Sequence, residues 1–152
     1  MRILICAVGR ARKSPARAVF EEYVRLVRWP LDLIEVEERK RLPPEQRRAA
    51  EAALLLRAVP DDTVVIALDE AGKTLSSRAL ASRIGQWRDD GRSCVAFLIG
   101  GADGLDDAVR RRADLILSLG RLTWPHLLVR GMLAEQIYRS QQILAGHPYH
   151  RD

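Results

Sequence analysis

Residues able to do chemistry crowd toward the C-terminal end of this chain. All three histidines, His126, His147 and His150, lie there. An imidazole is a side chain able to change charge near neutrality. In the closing Tyr149-His150-Arg151-Asp152, one such ring stands beside a guanidinium suited to a phosphate. Chain ends usually fray, but Pro148 and Tyr149 restrict this one. Glu135 and Arg139 stand four apart, in the favourable order for a helical ion pair, ordinarily a solvated one. Arg130 falls in the first turn of the same predicted helix, where it faces either a substrate or a partner.

Two glycine turns precede these residues. Gly100-Gly101-Ala102-Asp103-Gly104 follows an apolar run, and the stretch from Leu117 to His126 turns at Gly120. A dinucleotide site needs a tight turn, close backbone approach and an anion at a helix N-terminus. Here the spacing is G-G-x-x-G, and the residues about 20 further on are Gly120 and Arg121, with no acidic ribose ligand. Asp103 would repel a pyrophosphate. A glycine-lined pocket for a cofactor without phosphates suits these residues better; a purely structural turn is the alternative. No metal site is expected, because the histidines lack the spacing and cysteine partners of a ligand set. There is no Gly-x-Ser-x-Gly elbow and no P-loop.

The elements that must carry these residues can be read from periodicity. Ile3 to Val8 is a first strand, and Ser14 with Pro15 opens an amphipathic helix that Pro30 ends. Leu31 to Val36 is a second strand. A charged loop with Arg39, Lys40 and Arg41 runs into a helix from Pro44 to Ala58. Thr63 to Leu68 and Ser93 to Ile99 are unbroken apolar runs, as central strands buried on both faces require. Asp69 to Lys73 reads as a polar turn, and Ser76 or Ser77 caps the next helix, which stops near Gly91. A short helix ends about Arg112, Leu115 to Leu119 is the last strand, and Leu127 to Leu144 the last helix. Strict alternation of strand and helix predicts an α/β fold, a mostly parallel sheet with helices on both faces, in a single domain.

Composition agrees. The 152 residues are 47% hydrophobic and 30% charged, enough for a core and with no run near the ~20 apolar residues of a membrane helix. No membrane association and a cytoplasmic location are expected, and Cys6 and Cys94, both in strand-like runs, read as buried structural thiols. The formal charge is +5, and all but three of the 25 basic residues are arginine. Such a balance permits a polyanionic partner without proving one.

The motifs, taken together, resemble a known family. Leu68-Asp69, Leu98 to Leu105, Leu119 to His126, Leu128-Val129-Arg130, Ala134 to Arg139 and the closing His147-Pro148-Tyr149-His150-Arg151 are similar to the ribosomal large-subunit methyltransferase H family. Its members are SPOUT-class enzymes that methylate N3 of a pseudouridine in 23S rRNA. The likeness spans nearly the whole chain, and its specific part runs from Leu68 to Asp152.

The resemblance implies an α/β knot, with the C-terminal segment threaded into a trefoil, a homodimer, and S-adenosylmethionine as methyl donor. Carried over residue by residue, the cofactor contacts are Leu68, Gly100, Leu119, Gly120, Arg121, Leu122, Thr123 and Trp124. The family often has leucine in place of Trp124 and proline in place of Leu127; contacts made by backbone should survive both changes. His150 is the candidate for the N3 proton or for orienting the base, Arg151 for an RNA phosphate, with Tyr149 beside them. Arg10, Arg12, Lys13 and Arg17, with Arg39 to Arg41, would present RNA with a basic surface. The expected partner is 23S rRNA in the large subunit or the assembled ribosome. A SPOUT enzyme acting on tRNA or another rRNA site is the neighbouring alternative, and a non-enzymatic RNA- or nucleotide-binding module the more distant one.

Overall fold

The computed structural model describes residues 1–150. Five strands alternate with five helices: β1 (Arg2–Val8), α1 (Pro15–Leu26), β2 (Leu31–Val36), α2 (Pro44–Arg57), β3 (Val64–Thr74), α3 (Ser77–Asp89), β4 (Cys94–Ile99), α4 (Asp107–Arg112), β5 (Leu115–Ser118) and α5 (His126–Leu144). The strands form one sheet in the order β2-β1-β4-β3-β5, and every neighbouring pair is parallel.

Side-chain alternation along the strands builds two cores. Ile3, Ile5, Ile66 and Phe97 point to the face covered by Phe20 of α1, Ile84 of α3 and Ile137 of α5. Leu4, Cys6, Val65 and Leu98 point to the other face, under Leu55 of α2 and Val109 of α4. The central strands are buried on both sides, which is why their sequences are apolar without interruption. Both cysteines are free and buried, and burial with the neighbouring Cys94 pushes the Cys6 thiol up to about 11.

Most boundaries fall within a residue or two of the sequence expectation, and two differ in a way that matters. Helix α1 ends at Leu26 rather than at Pro30. The Gln141 side chain of α5 accepts from the Arg28 and Trp29 amides at 2.7 and 3.2 Å, fixing the chain in a non-helical turn. Strand β3 does not stop at Leu68. Asp69 to Gly72 bulge out, and pairing with β5 resumes at Lys73↔Leu117 and Thr74↔Ser118. Gly72 permits this, because a Cβ there would lie 2.7 Å from the Ile116 carbonyl oxygen.

Candidate active site

Because the sheet is parallel, the exits of its strands open on one edge, where α/β folds bind ligands. Leu68 stands level with Ile99 and with Leu117, so the ends of β3, β4 and β5 meet. Beyond them lies a cavity of about 590 Å3, within the ~300–1,000 Å3 of small-molecule sites. Its floor is apolar, from Leu68, Ile99, Leu117 and Leu119, and two turns form its walls.

Each turn depends on glycine. The Gly104 amide donates to the Gly101 carbonyl at 3.1 Å. A Cβ at Gly100 would lie 2.9 Å from the Gly104 carbonyl oxygen, so the two halves of the turn close only without a side chain. In the second turn Gly120 has φ +112°, a conformation that favours glycine. The buried Ser118 hydroxyl pins it, accepting from the Gly120 amide at 3.1 Å and donating to its carbonyl at 3.0 Å.

The charged groups lining the cavity are three carboxylates and one guanidinium. Asp69 accepts from Nε and Nη2 of Arg110 at 3.1 and 2.6 Å, and that carboxylate holds the guanidinium pKa above its ordinary value. Asp103 pairs with Arg47 at 3.3 Å, and Glu70 is an exposed carboxylate at the rim. His126, at the start of α5, also lines the cavity. Burial, then the nearby Arg130 cation, push its imidazole pKa down. Three carboxylates around backbone turns suit a ligand with cationic and hydroxyl groups, and oppose one with phosphates.

A second cavity, of about 510 Å3, lies on the other side of the Leu117–Gly120 segment, between α1, α3 and α5. The chain end packs at its border. Tyr149 donates to Glu135 at 3.2 Å, Arg139 Nε donates to the same oxygen at 2.8 Å, and Arg139 Nη2 also reaches it. The Arg139 guanidinium lies 4.9 Å from the centre of the Tyr149 ring, and its Nη1 is 3.2 Å from His150 Nδ1. Burial and the Glu135 carboxylate raise the Tyr149 phenol to about 12. Thus Glu135 and Arg139 are not a solvated surface pair: their side chains are 15% and 25% exposed and anchor the tail.

Comparison with known proteins gives this arrangement a family. The model described as "Predicted SPOUT methyltransferase" matches residues 1–150. A ribosomal RNA large subunit methyltransferase H from Rhodospirillum centenum is 62% identical over 151 residues, covering 99% of each chain. One from Paramagnetospirillum magneticum is 54% identical over 151 residues, again covering 99% of each. The chain belongs to the ribosomal RNA large subunit methyltransferase H family of SPOUT methyltransferases. Its fold is also that of a probable methylase family protein from Haemophilus influenzae, with a TM-score of 0.60 at 11% identity, covering 95% of this chain and 66% of that one.

In this SPOUT methyltransferase, seven of the eight residues singled out for the cofactor line the first cavity: Leu68, Gly100, Leu119, Gly120, Leu122, Thr123 and Trp124. Arg121 does not; it is exposed. Tyr149 and His150 gather at the second cavity's border, and Arg151 lies outside the described residues. The Leu117–Gly120 segment borders both cavities, so within one chain it stands between the first cavity and the tail.

Arg130 faces neither substrate nor partner. It is 1% exposed, and it binds Glu35 at 2.6 Å and the Val8 and Gly9 carbonyls at 3.1 and 2.7 Å. Sequence reading placed Asp103 and His126 beside the glycine turns but missed Asp69, Glu70 and Arg110 as cavity residues. For Asp69 and Glu70 the usable signal was their place directly after an apolar strand run; Arg110 gave none. Among the described residues no group of three metal-ligating side chains exists, and no helix is long and apolar enough to cross a membrane.

Proposed function

We propose that this chain, with residues 1–152 acting as one knotted domain, methylates N3 of a pseudouridine in 23S rRNA using S-adenosylmethionine. One observation carries the cofactor: a cavity built from two glycine turns at parallel strand ends, lined by Asp69, Glu70 and Asp103. Its backbone donors and carboxylates fit a molecule with an adenosine, a sulfonium and an ammonium group, and no phosphate. The names of its curated relatives support the ribosomal substrate.

When bound, S-adenosylmethionine supplies an electrophilic methyl on sulfur. The chain's part is to hold it and to set the base nitrogen in line behind that methyl. The turns at Gly100 and Gly120 grip the cofactor mainly through backbone. His150 takes or directs the N3 proton, with Tyr149 and the Glu135–Arg139 pair orienting it, and Arg151 holds an RNA phosphate.

A homodimer completes the reading. Val19 and Leu26 of α1 are 44% and 43% exposed, and Val19 adjoins an apolar groove containing Leu128 and Met132. A second copy covering that groove would bring its own tail and cavity to the same junction. The cytoplasm, where ribosomes are assembled, is the proposed location. The test is incubation of the protein with labelled S-adenosylmethionine and, in parallel, ribosomes, free 23S rRNA and tRNA, followed by nucleoside analysis. Label in N3-methylpseudouridine of 23S rRNA is expected; label in tRNA alone overturns the assignment.

A further inference from the structure

The cofactor turn rests from below on α2. Arg47 and Glu51, one helical turn apart, both reach the Gly101–Asp103 segment. Glu51 is 7% exposed, and its Oε2 has no hydrogen-bond partner among the described residues. A Cβ on Gly101 would lie 2.9 Å from that oxygen and 3.0 Å from Val8, so this side of the turn is packed and fixed. Arg47 holds the other side with two arms. Its Nη1 donates to Asp103 at 3.3 Å and its Nη2 to the Leu42 carbonyl at 3.1 Å. Leu42 closes the loop that carries Arg39, Lys40 and Arg41, all exposed.

We propose that Arg47 is a positioning residue that joins the basic loop to the cofactor turn, so that RNA on the loop tightens cofactor binding. The inference rests on the RNA methyltransferase reading above. A 3.3 Å pair whose arginine is 40% exposed is weak by itself, so the bridge depends on how well its loop end is held. Phosphates on Arg39 to Arg41 remove the freedom of that loop and fix the Leu42 carbonyl. The guanidinium is then aimed at Asp103 before the cofactor arrives, and the ordering cost is met once for both ligands. By linkage, the cofactor tightens RNA binding by the same factor.

The test measures binding of sinefungin, a cofactor analogue with no methyl to transfer, with and without saturating unmethylated large ribosomal subunits. In the wild type, subunits are expected to tighten sinefungin binding about fivefold. Arg47→Ala abolishes that gain while changing sinefungin affinity alone by no more than about twofold. Arg47→Lys keeps a charge near Asp103 but has no second arm for Leu42, and it too loses most of the gain. In turnover at saturating subunits, Arg47→Ala raises KM for S-adenosylmethionine with kcat nearly unchanged. Melting temperatures confirm that the variants fold. Wild-type protein that binds both ligands without mutual effect overturns the proposal, as does an Arg47→Ala variant that keeps the gain. Weaker subunit binding with the gain intact once subunits are saturating makes Arg47 a plain RNA contact and also overturns it. Wild-type protein that binds neither ligand instead overturns the methyltransferase reading beneath it.

Discussion

Arg130 donates to the Gly9 carbonyl at 2.7 Å, joining the last helix to the exit of the first strand across 121 residues of chain. The same guanidinium pairs with Glu35 on the edge strand, and Glu35 in turn accepts from the Ala11 amide at 2.7 Å. One buried side chain therefore ties together β1, β2, α5 and the basic loop after Gly9. Arg130→Met fills much of the space but removes the cation beside Glu35, which keeps only the Ala11 amide, and the guanidinium bonds to the Val8 and Gly9 carbonyls. Loss of one partner of a buried pair costs about 3 kcal/mol. Urea unfolding should show a lower midpoint at unchanged slope.

Two glutamates should give stability opposite dependences on pH. Burial alone would raise Glu35, but the Ala11 amide and the Arg130 guanidinium outweigh it and hold its pKa below 4.5. Its contribution is present above the unfolded value and lost as pH falls through the lower folded one. Glu51 is raised, by burial and then by Asp103, against a smaller lowering by Arg47. Its folded form prefers the proton, so stability is lost as pH rises from the unfolded value through the folded one. Melting curves between about pH 3 and pH 8 are the measurement. Glu35→Gln should flatten the acid side. Glu51→Gln should raise the melting temperature near neutrality, with the gain fading in acid.

The contrast between these two residues and the strands shows what the sequence could reveal. Apolar runs such as Val64 to Ala67 and Cys94 to Ile99 must be central strands, because nothing else buries both faces at that length. The glycine turns and the loop from Leu119 to Trp124 were legible for the same local reason. The Arg130–Glu35 pair was not, since its partners are 95 residues apart and each alone reads as a surface charge. The Asp69–Gly72 bulge looked like a strand's end because its polar residues leave the ladder before Lys73 rejoins it. The tail's anchorage on Glu135 and Arg139 likewise depends on how the chain end folds back along α5, which spacing alone does not specify.

Backbone geometry, more than side chains, should govern cofactor affinity. Gly100→Ala sets a Cβ 2.9 Å from a backbone oxygen that cannot swing aside. Gly120→Val meets no neighbour, yet it forces a branched residue to φ +112°. Either should weaken binding of S-adenosylmethionine by about tenfold or more. Leu122, 70% exposed, and Thr123 contribute side chains that are mostly in solvent. Leu122→Ala and Thr123→Ala should stay within about threefold of wild type. Titration calorimetry with the cofactor distinguishes the two classes, and a larger loss at Leu122 than at Gly120 would refute this order.

Salt should separate the two ligands. Arg10, Arg12, Lys13 and Arg39 to Arg41 are exposed on the loops after β1 and β2. Polyanion binding there releases counterions, so affinity for large subunits should fall steeply as salt rises. Cofactor binding in the apolar-floored cavity should barely change. Filter binding and calorimetry across the same salt series check this, and equal sensitivity of both would remove the assignment of RNA to these loops.

The tail offers the sharpest test of how the proton is handled. With its phenol raised to about 12, Tyr149 stays neutral through the working pH range and cannot serve as the base. Its role is to donate to Glu135, which also receives Arg139, whose Nη1 lies 3.2 Å from His150 Nδ1. Removing the proposed base and removing its support should then differ in size. His150→Ala is expected to slow single-turnover methylation about 100-fold while large-subunit binding stays as in wild type. Tyr149→Phe deletes one hydrogen bond and should cost less than about tenfold. Arg151→Ala should instead weaken subunit binding. Unchanged methylation in His150→Ala, with binding lost in Arg151→Ala, would leave the tail as an RNA clamp and move the proton to another acceptor.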